Sequence, residues 1–251
     1  MSTPTPQPLA AVVPSPDVTA LSTETLAKPL SPARAGSVAG ASAEEEYQRR
    51  QTRYRQRVRD RFGFLAPLVL TLFGEPQHVR AWVRGAKGER VVGLVLDELV
   101  AQEPGAAVLH DRRFKGSRGN LDHIVVCRGG VFVVDAKNYR GRIEVRGRWS
   151  SSPSLWVGGR RATKLTESVE RQAEGVQRLL EAASVKVTVQ PVLFFVDGNW
   201  SSGASRRRIG RVQLLGGRRS LRKHLSRSEV LDPEAVAAAI RQLEDQLVAA
   251  A

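Results

Sequence analysis

The chain has 251 residues, enough for one domain with extensions or for two small domains, and an apolar fraction of 41% supports a real core. No apolar run reaches the roughly 18 residues of a membrane helix, and the single cysteine, Cys127, excludes an intramolecular disulfide or a cysteine-built zinc site within one chain. A formal charge of +14 favours polyanionic partners, nucleic acid before anionic lipid.

Residues 1–43 hold seven of the thirteen prolines with many Ser, Thr and Ala, the composition of a disordered tail. No basic stretch followed by an apolar one marks a secretion signal, so a cytoplasmic location is expected. From Glu44 to Arg61 three leading acids and seven arginines predict a solvated helix whose charges suit its dipole. The apolar run Phe64–Phe73 that follows is too short to span and contains a proline. A helix is predicted from Ala81 to about Gln102, with Gly85, Glu89, Val92, Leu96 and Leu99 on one stripe. Glu89 is the intruder there: a carboxylate facing the interior needs a base or a cation.

A short strand at 106–110 leads into a basic loop, DRRFKGSRGN, and strands follow at 121–127, 130–137 and 141–147. Trp149 to Gly159 reads as a loop with a short strand. The helix Thr163–Ala183 carries the stripe Leu165, Val169, Gln172, Val176, Leu179 and Ala183, with Gln172 as its polar intruder. Strand 187–196 is nearly all apolar, hence central and covered on both faces. A last strand at 209–215, a short helix at 221–225 and a helix from Pro233 to Ala249 complete the chain. The fold class is α/β, a mixed sheet with helices packed on it.

The segment LDHIVVCRGGVFVVDAKNYRG, from Leu121 to Gly141, concentrates the chemistry. Folded as a hairpin with a two-residue turn at Arg128-Gly129, it pairs Cys127 with Gly130 and sets Asp122 opposite Asp135; a four-residue loop gives the same register, while a three-residue loop slips it by one and makes the acids diagonal neighbours. Directly opposed residues have Cβ atoms about 4.5–5.5 Å apart, and like charges there are destabilising. One acid must then take a proton or a cation must sit between them. A divalent ion such as Mg²⁺ or Mn²⁺ prefers such oxygen ligands. Lys137 shares the face of Asp135 and can orient a water or stabilise charge on a phosphate. The competing reading is a plain salt bridge, with Lys137 offsetting two structural acids. His123 points to the opposite strand face and reads as a core residue.

Four stretches, GAKGE (85–89), LDHIVV (121–126), VVDAKNYRG (133–141) and the helix bearing Gln172, resemble the nuclease-related domain (NERD) family over about Trp82 to Val196. The resemblance implies a restriction-endonuclease-like fold of the PD-(D/E)xK type and a nuclease activity. It implies Asp122 and Asp135 as metal ligands, Glu89 as support for the metal, Lys137 beside the attacking water and Gln172 as an orienting group. Leu121 stands where the superfamily's name has proline, and Asp135 where many members have glutamate. The domain is expected over 81–200, preceded by a basic helix and apolar linker at 44–80 and followed at 201–251 by a basic loop, a strand and helices.

Two basic stretches are candidate phosphate contacts: Arg112, Arg113, Lys115 and Arg118 before the first acid, and Arg206, Arg207 and Arg208 in a loop after strand 187–196. DNA is favoured over RNA through the superfamily resemblance. Two alternatives stay open: a non-catalytic nucleic-acid-binding module, and a membrane-peripheral protein held by residues 44–74.

Overall fold

The computed structural model describes residues 39–63, 66, 67, 70, 77–117, 119–139, 141–147, 153–201, 206–226 and 230–250. The tail expected at 1–43 lies outside these residues as far as 38, and so do Arg118, Trp149 and much of the apolar run at 64–73. No helix among the described residues is long and apolar enough to cross a membrane.

Two long helices come first, α1 (Ala41–Phe62) and α2 (Gln77–Val100). Residues 41–43 therefore belong to a helix rather than to a tail. Ala43 and Val58 are buried, while most of the α1 arginines lie exposed. Glu45 and Glu46 pair with Arg49 and Arg50 one turn on, and Glu44 reaches Arg90 of α2 at 3.2 Å.

The main sheet has seven strands: β1 (Ala107–Phe114), β2 (Leu121–Cys127), β3 (Gly130–Lys137), β7 (Val189–Phe195), β9 (Arg206–Ile209), β10 (Val212–Gly216) and β11 (Leu247–Ala249). Their order is β11-β1-β2-β3-β7-β10-β9. β3 runs antiparallel to β2 and parallel to β7, so the sheet is mixed, as expected. A second sheet, β6-β5-β4-β8, is built from β4 (Arg142–Arg146), β5 (Ser154–Val157), β6 (Arg160–Arg161) and β8 (Asn199–Trp200). Three helices complete the fold: α3 (Thr163–Ala182), α4 (Arg218–Leu225) and α5 (Pro233–Gln246).

Both faces of the main sheet are covered, which explains the near-continuous apolar runs of β3 and β7. Val131 and Val133 point into a core shared with Val169, Val176 and Leu180 of α3 and with Val236 and Leu243 of α5. Phe132 and Val134, of opposite parity, pack with Val92 and Leu96 of α2 and with Leu221 and Leu225 of α4.

Three expectations are corrected. The first strand does not stop at His110: it continues through Arg112 and Arg113 to Phe114. Its far partner, β11, supplies the missing pairing, with Arg112 opposite Ala249. By the same token the last helix ends at Gln246, because Leu247–Ala249 leave it to form that strand. Arg206, Arg207 and Arg208 do not sit in a loop either; they form β9, paired with β10 across a tight turn at Gly210 and Arg211.

Candidate active site

The β2–β3 hairpin sets the geometry. Cys127 pairs with Gly130 across the two-residue turn, and the ladder runs outward to His123 opposite Val134. One step further in the same register sets Asp122 against Asp135, close enough for the charge of one to act on the other. Asp122 Oδ2 also accepts the Ala136 N–H at 3.0 Å. Asp135 is only 3% exposed, and the Lys137 ammonium donates to its Oδ1. Two acids and a lysine thus converge at one strand end.

Their electrostatics follow from crowding. Burial, and then the charge of Asp135, hold the Asp122 carboxyl well above the usual range. Burial alone would lower the Lys137 ammonium, but Asp135 and Asp122 outweigh it and the net shift is upward. Glu89 is pushed up to about 7, by burial first and then by the charge of Asp111, with Lys137 opposing. Gly88 allows Glu89 to come this close. A Cβ at 88 would lie 2.7 Å from the Asn138 Cβ, so a side chain there would push α2 off the segment following β3.

The raised Glu89 sets a pH dependence. Below its ordinary value of 4.5 the folded and unfolded chains are both protonated. Between 4.5 and about 7 the unfolded chain ionises first, so stability falls as pH rises through that window. Glu89→Gln is expected to remove about 1–3 kcal/mol of this loss, partial exposure having been allowed for. Urea unfolding of both proteins in chelator from pH 4 to 8 measures it; parallel profiles would refute the placement of Glu89.

Gln172 is not brought to the acids by any hydrogen bond among the described residues. Its Nε2 donates to the Asn120 carbonyl at 3.0 Å, bracing the segment that leads into β2. Its Oε1 and the Oδ1 of Asn120 are buried acceptors with no protein partner. A cavity of about 410 Å³ opens beside Asp122, lined also by Glu89, Asn120, Arg113 and the α1 residues Glu45 and Arg49. Of the basic candidates among the described residues, Arg113 alone lines it. Arg112 lies half-buried in β1, and Lys115 Nζ donates to the Asp245 carbonyl at 2.8 Å. Arg206, Arg207 and Arg208 lie on the opposite edge of the sheet, with β7 and β10 between them and β3.

His123 is fully buried on the other face, 2.8 Å from His110, and burial followed by His110 lowers it to about 3. Cys127 is buried and pushed up to about 11, by burial and then by Glu103, which leaves it a poor nucleophile.

Asp111 is a further buried acid, carried by β1. It adopts a positive φ of 48° inside β1 and is 1% exposed. It accepts both the N–H and the hydroxyl of Ser42, at 2.6 and 2.7 Å, and so pins the start of α1 beside the cavity. No local signal marks it, since Ser42 and Asp111 are 69 residues apart in the chain.

Among the described residues no group of three or more His, Cys, Asp or Glu side chains is arranged to hold a metal ion. A hydrated ion of the Mg²⁺ type needs less, taking one or two carboxylates and completing its shell with waters and phosphate oxygens. Asp122 and Asp135 offer such a pair.

A helix-flanked mixed sheet, with an acid on each strand of its central hairpin and a lysine two residues past the second, is the layout expected of the PD-(D/E)xK type. Residues 84–196 match the family model described as nuclease-related domain, so the chain carries a domain of that family. It is also similar to an uncharacterized protein of Bacillus anthracis, 38% identical over 80 residues, which are 30% of this chain and 36% of that relative. The match thus spans about a third of the relative's length. No solved structure matches the chain.

Proposed function

We propose that the chain is a nuclease dependent on Mg²⁺ or Mn²⁺, hydrolysing phosphodiester bonds of DNA, with RNA as the second substrate to test. The observation that carries this reading is the opposed pair of acids, Asp122 and Asp135, at one end of the β2–β3 hairpin, with the Lys137 ammonium bound to Asp135. Neighbouring carboxylates hold a proton where a cation is absent, and a divalent ion displaces it. The donor set therefore fits a hydrated divalent ion, with Asp122 and Asp135 as its ligands and Glu89 as the nearby support.

Bound there, the ion would polarise the phosphate and lower the pKa of its water. The remaining work falls to this chain's own residues. Lys137, kept charged by its two acids, holds the attacking water in line or stabilises the charge growing on the phosphate. Glu89, on the cavity wall with Asp122, supports the ion from α2. Arg113, on the cavity wall, holds a neighbouring phosphate. Gln172 acts at one remove, fixing Asn120 and with it the start of β2.

A second reading has its own support: the Lys137–Asp135 pair is also what a structural ion pair looks like. It makes the chain a basic module that binds nucleic acid and cuts nothing. The two part in one assay. The purified chain is incubated with labelled single- and double-stranded DNA and RNA in Mg²⁺, Mn²⁺ or EDTA. Cutting in metal that stops in EDTA is the expected result. Binding that survives EDTA, with no cutting under any condition, would replace the nuclease reading by the module.

A further inference from the structure

Immediately beyond Lys137 the surface opens into a cleft of about 830 Å³ between the β5–β6 hairpin and the start of α3. Its lining is mixed in a specific way. Val157 and Leu165 supply aliphatic wall, Tyr139 stands at the side with 43% of its surface exposed, and Arg160, Arg161 and Lys164 stand exposed around it. Glu167 is the one acid among the described residues of the lining. The base of the cleft is fixed by backbone. The Gly158 N–H donates to the Arg142 carbonyl at 2.9 Å, and a Cβ on Gly141, at φ 115°, would lie 2.9 Å from the Gly158 Cα. Arg161 Nε donates to the Thr163 hydroxyl at 3.0 Å, which ties the hairpin to the first turn of α3.

Three cations against one acid select a polyanion. An exposed aromatic ring sharing a cleft with aliphatic side chains selects a flat apolar face. A nucleic-acid strand offers both, but only where its bases are unpaired; a duplex turns the base faces inward. An acidic peptide would answer the cations and leave the ring unused. The cleft also adjoins the candidate centre, since Tyr139 follows Lys137 by two residues.

We infer that this cleft binds a single nucleic-acid strand, with a base laid on Tyr139 between Val157 and Leu165 and the adjoining phosphates on Arg160, Arg161 and Lys164. The inference deepens the nuclease reading and rests on it for what happens to the strand after binding. It names the substrate as unpaired, or as locally opened, where the chain meets it.

The test uses the full chain in EDTA, so that binding is read without cutting. Anisotropy of a fluorescent oligothymidine is followed across a salt titration, with each variant's melting temperature as a folding control. R160A/R161A/K164A is expected to weaken binding at least tenfold at low salt. Its slope of log affinity against log salt should fall by about 2, for three single-strand phosphate contacts. Tyr139→Ala should weaken binding between about fivefold and a hundredfold, while Tyr139→Phe binds as the parent does. A duplex of the same sequence should be indifferent to Tyr139. Folded variants that bind the oligothymidine as the parent does would overturn the inference, as would polyglutamate competing with equal affinity. Failure of the nuclease reading looks different: the cleft variants lose binding, yet the parent cuts nothing in any metal. If the parent cuts while the cleft variants bind and cut normally, the cleft assignment alone fails.

Discussion

Asp135→Asn is expected to lower metal-dependent cleavage by about a hundred- to ten-thousandfold, the range for removing a group that acts on the reacting atoms. The change keeps the shape and removes the charge. Asp122 loses the neighbour that helps push its carboxyl up, and Lys137 loses its direct ion-pair partner. Strand binding in EDTA should be preserved or tightened, because one negative charge has left a site that meets phosphates. Lys137→Ala should fail as severely, and Lys137→Arg should not restore activity, since a planar fork does not reproduce a compact ammonium point charge. Cleavage rates and EDTA binding measured on the same preparations decide the matter. Variants that bind and still cut within a fewfold of the parent would return Asp135 and Lys137 to a structural role.

Phe195→Ala is expected to cost about 3–5 kcal/mol of stability, the range for truncating a buried aromatic ring. Phe195 is fully buried and meets Trp200 of the second sheet edge-on, with centroids 5.8 Å apart. It also stands opposite Lys137 in the parallel β3–β7 register. The cavity left behind therefore loosens the strand end that carries the lysine, and cleavage should drop along with stability. Phe195→Leu should recover most of the stability. Urea midpoints and cleavage rates for the pair test this; an Ala variant as stable as the parent would mean that the two sheets are not coupled through this ring.

The hairpin was legible because its information is local. A two-residue turn and strict alternation set its register, and the register alone put both acids and the lysine on one face. Glu89 was legible as a carboxylate on an apolar stripe, but not its neighbour Gly88, whose importance depends on how near Asn138 comes. Nonlocal pairing hid the rest. Arg112 and Arg113 look like loop until β11 arrives from the other end of the chain to pair with them. Leu247–Ala249 continue a helical pattern and leave it only because β1 offers an open edge. Arg206–Ile209 carry too much charge to read as a strand, yet an edge strand tolerates it. The grouping of β4, β5, β6 and β8 into a second sheet had no local signature, since β8 lies beyond α3 and β7 in the chain.

The parallel partnership of β3 with β7 has a kinetic side. The β2–β3 hairpin can close by itself, on a microsecond scale typical of hairpins, and in doing so it brings Asp122 and Asp135 face to face. β7 cannot join until the long segment holding β4, β5, β6 and α3 has been looped back, and that closure costs entropy before any contact repays it. The acids therefore meet early and the brace behind Lys137 comes late. A half-folded chain would hold the two acids and the lysine at one strand end that β7 has not yet braced, so that the rigidity of the site becomes a property of the finished sheet.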